Sequence, residues 1–263
     1  MFACTERIAF YLGSYPIMKY GITMGIAIAV AIVLLLKFRK KYYPEFSEDT
    51  LVDLTFWLVI AGVVGARLWF VLLNLSYFAK NPLEILMINH GGISIQGAIA
   101  GGVAAGYFYV KKHNLDFFKL SDLYALVLPI GQAIGRWGNF FNSEAFGRPC
   151  NLPWKLYIPI ENRPSAFVNE QFFHPTFLYE SIANVFVFLI LFLVLRKYFQ
   201  GKDGALFFSY LILYSFVRFF IEFVRVDSVL NVGAVPVAAI VSVVLFLVGA
   251  FGLYYVLKAH KSV

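Results

Sequence analysis

A chain of 263 residues that is 60% hydrophobic, 19% aromatic and only 14% charged cannot hide its apolar surface in one water-soluble core, because soluble domains carry roughly 25% charged residues. Its apolar residues run in stretches of about 20, the length of a membrane-crossing helix, without the alternation of a transmembrane strand. The formal net charge of +7 is scattered between those stretches, which excludes a basic nucleic-acid face and leaves a polytopic helical membrane protein, all-α in class.

Seven spans are predicted in chain order, at 17–36, 54–74, 93–110, 123–140, 177–195, 205–224 and 235–257. The first run is a full span with no small-residue cleavage site, so it is read as a membrane helix and not as a removed leader. Basic residues follow alternate spans: Lys37, Arg39, Lys40 and Lys41 after the first, Lys111 and Lys112 after the third, Arg196, Lys197 and Lys202 after the fifth, Lys258 and Lys261 after the seventh. Basic loops stay in the cytoplasm, so the N-terminus is expected outside and the C-terminus inside. The whole chain is expected to be one membrane domain. Its outer loops are 75–92, 141–176 and 225–234. Loop 141–176 holds Pro149, Pro153, Pro159, Pro164 and Pro175 together with Trp154, Tyr157, Ile158, Phe167 and Phe172. That apolar content argues against disorder and for a small extracytoplasmic cap. Cys4 and Cys150 both fall on the outer side, and their spacing leaves open whether they pair. His90, His113, His174 and His260 are too dispersed to form a metal-ligand motif.

Polar residues inside apolar runs are the candidates for chemistry, because ionisable groups at membrane depth are costly. Met18-Lys19-Tyr20-Gly21 opens the first span, where a tyrosine is either a belt residue or part of a site. Arg67, in Gly65-Ala66-Arg67-Leu68, lies inside the second span and should pair inward, with Glu180 or Asp122. His90-Gly91-Gly92-Ile93-Ser94-Ile95-Gln96-Gly97-Ala98 opens the third span through glycines that favour a partly unwound entry.

The fourth span ends in Gly135-Arg136-Trp137-Gly138-Asn139-Phe140-Phe141-Asn142-Ser143-Glu144-Ala145-Phe146-Gly147-Arg148. Arginine suits a phosphate, to which its planar fork donates two hydrogen bonds. Arg136 and Asn139 share one helix face. The alternative is a glycine-packed helix contact with an interfacial charge cluster. His174-Pro175-Thr176-Phe177-Leu178-Tyr179-Glu180 opens the fifth span, with Glu180 either a cap or a site residue. On the sixth span Tyr214, Arg218, Glu222 and Arg225 fall within an arc of roughly 80°. That stripe is either an inward-facing site or an Arg218–Glu222 pair anchoring the helix at the interface.

These segments carry a resemblance. Residues 135–147 match Gly-Arg-x-Gly-Asn-Phe-x-Asn-x-Glu-x-x-Gly at every fixed position, the signature of the prolipoprotein diacylglyceryl transferase family. The stretches at 18–21, 174–180 and 214–225 resemble the family's Trp/Arg-Tyr-Gly, His-Pro-Ser/Thr-x-Leu-Tyr-Glu and Tyr-x-x-x-Arg-Phe-x-x-Glu-Phe-x-Arg patterns, with Lys19 at the Trp/Arg position, so the likeness spans nearly the whole chain. It implies transfer of the diacylglyceryl group of phosphatidylglycerol to the thiol of a lipobox cysteine in a preprolipoprotein, with release of glycerol-1-phosphate and with no cofactor or metal. The implied partners are phosphatidylglycerol, the preprolipoprotein signal peptide and membrane lipids, and the implied location is a bacterial cell membrane.

The implied catalytic residues are Arg136, Asn139, Glu144, Arg218 and Glu222, and the implied substrate contacts are Tyr20, Gln96, Gly97, Asn142, Gly147 and Tyr214. One position departs: the family's Gly-Gly-x-x-x-His-Gly aligns its histidine with Gln96, which cannot act as a general base near neutral pH. Without the resemblance, a transporter of an anionic solute or a non-catalytic lipid-binding protein would share the membrane arginines and glycine-broken helices.

Overall fold

The computed structural model describes residues 1–3, 6–87, 91–227, 231–233 and 235–260. The readings made for Cys4, with its possible pairing to Cys150, and for His90 lie outside the described residues.

Uninterrupted apolar sequence becomes helix, and each deviation from the expected spans has a local cause. The chain opens with β1 (Phe2–Ala3) and a hairpin of β2 (Ile8–Leu12) and β3 (Tyr15–Met18), turned at Gly13 with φ +64. Because Ile17 and Met18 belong to β3, helix α1 runs Lys19–Tyr42 and starts two residues later than expected. Helix α2 (Glu48–Leu73) starts well before residue 54. Ser47 caps it by accepting the Thr50 amide at 3.0 Å, and Glu48 and Asp49 in its first turn suit the positive helix end. A short α3 (Leu75–Phe78) and a 3-10 turn (Pro82–Leu86) follow, then α4 (Ile95–Lys112).

The expected span 123–140 is instead a pair, α5 (Phe117–Ala125) and α6 (Leu128–Asn142), bent by 46°. Pro129 lies in the first turn of α6, where its missing N–H leaves no helical bond unmade. After the β4 (Leu156–Tyr157) and β5 (Phe172–Phe173) strands come α7 (Thr176–Leu189), a π-helical stretch (Ile190–Leu195), α8 (Arg196–Tyr198) and α9 (Ala205–Val224). The β6 (Asn231–Val232) and β7 (Val235–Pro236) hairpin leads into α10 (Val237–Ala259). Among the described residues, five helices are long and apolar enough to cross a membrane, and a sixth if α5 and α6 count as one crossing. Helix α4, expected as a span, has 18 residues rich in glycine and ends in two lysines, and it is not among them.

The chain divides into two compact units. One comprises Met1–Leu35 with Ser121–Val263, the other Leu36–Leu120.

In the second unit α2 and α4 touch through backbone. A Cβ at Gly65 would lie 2.4 Å from the Gly97 carbonyl oxygen, and one at Gly101 2.2 Å from that of Ala61, so only glycine permits this approach. Arg67 is buried here, and the expected pairing with Glu180 or Asp122 is corrected. Its Nε donates to the Ile85 carbonyl at 3.0 Å, its Nη1 to Gly91 and Gly92 at 2.6 and 2.7 Å, and its Nη2 to Glu84. A guanidinium has enough donors to be satisfied by a loop's carbonyls, and Gly91 and Gly92 adopt the left-handed φ (+84 and +75) that turns theirs inward.

In the first unit α6, α7, α9 and α10 pack together. Asp122 fixes the start of α9 by accepting the Gly204 and Phe207 amides, each at 2.7 Å, a carboxylate at a helix N-terminus. The segment between α6 and α7 is ordered by its own apolar core. Phe146, Leu156, Ile158, Phe173 and Phe177 are buried, with Phe2, Phe140 and Phe167 packed against them. A three-stranded sheet in the order β1-β4-β5 holds this layer, β1 parallel to β4 and β4 antiparallel to β5.

Candidate active site

Three helices of the first unit bring polar and ionisable residues of the apolar runs together. Helix α6 supplies Arg136 and Asn139, α7 supplies Glu180, and α9 supplies Tyr214, Arg218 and Glu222. Glu180 is 1% exposed and Glu222 2%. Glu180 bridges the two arginines with one oxygen each, Oε2 at 2.8 Å from Arg136 Nε and Oε1 at 3.2 Å from Arg218 Nη1. Arg218 Nη2 also pairs with Glu222 one turn further along α9. Buried charges persist only when paired, and each member of this quartet has an opposite charge beside it.

A second chain of bonds leaves the cluster along α6. Arg136 Nη1 donates to Asn139 Oδ1 at 3.3 Å, and Asn139 Nδ2 donates to Glu144 Oε1 at 2.7 Å, with Asn142 Nδ2 at a marginal 3.5 Å from the same oxygen. Tyr214 and Tyr20 lie within electrostatic reach of the Arg136 guanidinium, and Tyr20 also of Glu144. Tyr210 stacks on Tyr214 with centroids 5.8 Å apart and accepts from Gln132 Nε2 at 2.8 Å, so the polar column continues further along α9.

The turn after α6 is held in an unusual backbone conformation. Ser143 and Ala145 have φ of +53 and +57, a region that costs a non-glycine residue about 1 kcal/mol or more. Ala145 is fixed on both sides: its amide donates to Asp227 Oδ2 at 2.6 Å, and its carbonyl accepts from the Thr176 hydroxyl. Arg225 Nε in turn holds Asp227 Oδ1 at 3.0 Å. Gly147 donates to the His174 carbonyl at 2.9 Å, and a Cβ there would meet His174 Cβ at 2.8 Å and Val224 Cγ1 at 2.9 Å. His174 Nδ1 lies 3.1 Å from the Tyr179 hydroxyl, which also accepts from Trp154 Nε1.

Of the residues singled out in the sequence, the structure gathers Tyr20, Arg136, Asn139, Asn142, Glu144, Tyr214, Arg218 and Glu222 in this network, with Gly147 in the turn that follows it. Arg225 leaves the expected stripe. It caps α9 in extended conformation, φ −70 and ψ 148, and serves the Ala145 turn. Gln96 and Gly97 belong to the second unit, at the start of α4. Gln96 Oε1 accepts from the Ser94 hydroxyl at 2.5 Å, and a Cβ at Gly97 would lie 2.2 Å from the Gly65 carbonyl oxygen, so Gly97 has a packing role. By sequence Glu180 is either a cap or a site residue. It lies past the first turn of α7 and caps nothing with its side chain. Its signal was a carboxylate at the start of a long apolar run, the same signal that singled out Arg218. Asp227 and Tyr210 were missed altogether.

Residues 7–255 match the family described as prolipoprotein diacylglyceryl transferase. Named relatives align over most of the chain. The phosphatidylglycerol–prolipoprotein diacylglyceryl transferase of Thermosynechococcus vestitus is 43% identical over 243 residues, covering 92% of this chain and 90% of that protein. Its counterpart in Fervidobacterium nodosum is 45% identical over 251 residues, 94% of this chain and 84% of that protein. The one in Thermotoga maritima is 42% identical over 262 residues, 98% and 86%.

Proposed function

The chain belongs to the prolipoprotein diacylglyceryl transferase family, and from that premise we propose that it moves the diacylglyceryl group of phosphatidylglycerol to the thiol of a lipobox cysteine. In this reaction the cysteine sulfur attacks the glycerol carbon bearing the phosphate. The carbon–oxygen bond breaks, its electrons leave with glycerol-1-phosphate, and the thiol proton passes to a base. The observation that carries the reading is the buried quartet of Arg136, Glu180, Arg218 and Glu222, which sets two guanidiniums where α6, α7 and α9 meet.

Each residue has a role that its contacts support. Arg136 and Arg218 stabilise the charge that develops on the leaving phosphate, the kind of preorganised electrostatics that dominates many barriers. Asn139, held between Arg136 and Glu144, orients the headgroup. Glu222 fixes Arg218, and Glu144, linked to Arg136 through Asn139, takes the thiol proton in this proposal. The reactive form of the nucleophile is the thiolate. Tyr20, Asn142, Gly147 and Tyr214 shape the surroundings of the substrate, and the amide of Gln96 can hydrogen-bond but cannot act as a base.

The alternating basic loops support α4 as a crossing, making seven, with the N-terminus outside, the C-terminus in the cytoplasm and the site towards the outer leaflet of the cell membrane. In this arrangement residues 141–176 form a cap on one membrane domain, on the side where lipobox cysteines arrive. The experiment is transfer of labelled diacylglyceryl from phosphatidylglycerol to a lipobox peptide by the purified protein. Transfer to the wild-type peptide but not to a Cys→Ser peptide is expected; equal labelling of both peptides excludes thioether formation.

A further inference from the structure

Glu180 has a geometry that the transfer itself does not explain. Anchoring two arginines would need only two separate acceptors, yet a single carboxylate on α7, 1% exposed, spends one oxygen on each. With Glu222 on Arg218, the quartet holds two positive and two negative charges and sums to zero. A phospholipid diester brings one negative charge. The phosphate monoester that leaves carries nearly two at neutral pH. An uncompensated arginine pair would hold that product more tightly than the substrate, and release would become slow. We propose that Glu180 is a positioning residue that sets the charge of the arginine pair, fixing both guanidiniums while weakening their hold on the departing phosphate monoester. The proposal rests on the transferase reading for its substrate and product, but not for the charge balance, which is a property of the four side chains.

The test compares the wild type with Glu180→Gln, which keeps the shape and removes the charge, and Glu180→Asp, which keeps the charge and is one methylene too short to span both arginines. Turnover, lipid KM and inhibition by glycerol-1-phosphate are measured, and glycerol-1-phosphate binding is measured separately by calorimetry in detergent. In Glu180→Gln one arginine becomes an uncompensated buried cation. Its affinity for glycerol-1-phosphate should rise about tenfold while kcat falls about tenfold or more. In Glu180→Asp the affinity for glycerol-1-phosphate should stay within about threefold of wild type while kcat falls by a similar factor. A merely structural loosening moves product affinity in the opposite direction, so unchanged or weakened binding in Glu180→Gln overturns the proposal. If that variant does not fold, Glu180→Asp decides, and wild-type turnover in it overturns the proposal equally. Calorimetry needs no turnover, so an inactive wild type whose Gln variant binds glycerol-1-phosphate tightly would overturn the transferase reading and leave the charge balance standing.

Discussion

The ring of Tyr20 rests against Gly138: a side-chain carbon at 138 would lie 2.8 Å from Tyr20 Cδ2 and 3.1 Å from Cε2. One glycine of α6 thus sets where the first tyrosine of α1 sits beside Arg136 and Glu144. Gly138→Ala must push the ring or the helix. The expected outcome is a loss of about 1–3 kcal/mol in stability, typical of overpacking, and a fall in activity larger than that of Gly21→Ala, whose position has open space. Thermal unfolding and turnover of the two variants check this. Equal activities would separate Tyr20 from the site.

Arg218 makes two ion pairs with different carboxylates, one through each terminal nitrogen. A lysine keeps the charge but has no fork and cannot hold both. Arg218→Lys should insert and fold, yet lose about a hundredfold in kcat/KM, the scale seen when one preorganised donor is removed. Turnover within a few-fold of wild type would assign Arg218 a diffuse electrostatic role.

The base can be located by comparing three variants. Glu144→Gln and Glu222→Gln remove proton-accepting capacity at nearly constant shape, while Gln96→Ala removes only a hydrogen-bonding side chain. Positioned proton transfer contributes about 10²–10⁴-fold, so the larger loss, with a changed pH profile, is expected in a glutamate variant, Glu144 first. Inactive Gln96→Ala alongside two fully active glutamine variants would place the base elsewhere, with His174 the next candidate.

Much of this was legible because the cost of burying charge is large and local. Arg136, Arg218 and Glu222 stood out in the sequence as ions in apolar runs, and the structure joins them. Partner choice was not legible. Arg67 was expected to seek a carboxylate and instead binds loop carbonyls, an outcome set by the left-handed glycines at 91 and 92. Glu180 was visible but ambiguous, because nothing local says that two arginines from other helices will converge on it. Asp227 was invisible for the same reason: its partner is the strained amide of Ala145, 82 residues away. Helix ends moved where a hairpin, a serine cap or a proline intervened, as at Lys19, Ser47 and Pro129.

Orientation has its own test. A cysteine placed at Lys40, in the basic stretch after the first crossing, should be shielded from a membrane-impermeant thiol reagent in intact cells and react once the membrane is opened. Labelling in intact cells would invert the topology and move the site to the inner leaflet.

In the proposed reaction the arginine cluster serves thioether formation at the expense of a phospholipid headgroup. The most direct measurement is stoichiometric: purified protein, phosphatidylglycerol labelled in both its acyl chains and its headgroup, and a lipobox peptide. Acyl label should appear on the peptide cysteine in equal molar amount to released glycerol-1-phosphate. Both should be lost together in Arg136→Ala and Arg218→Ala that still insert and fold. Headgroup label on the peptide, or release of glycerol-1-phosphate without peptide modification, would contradict the account.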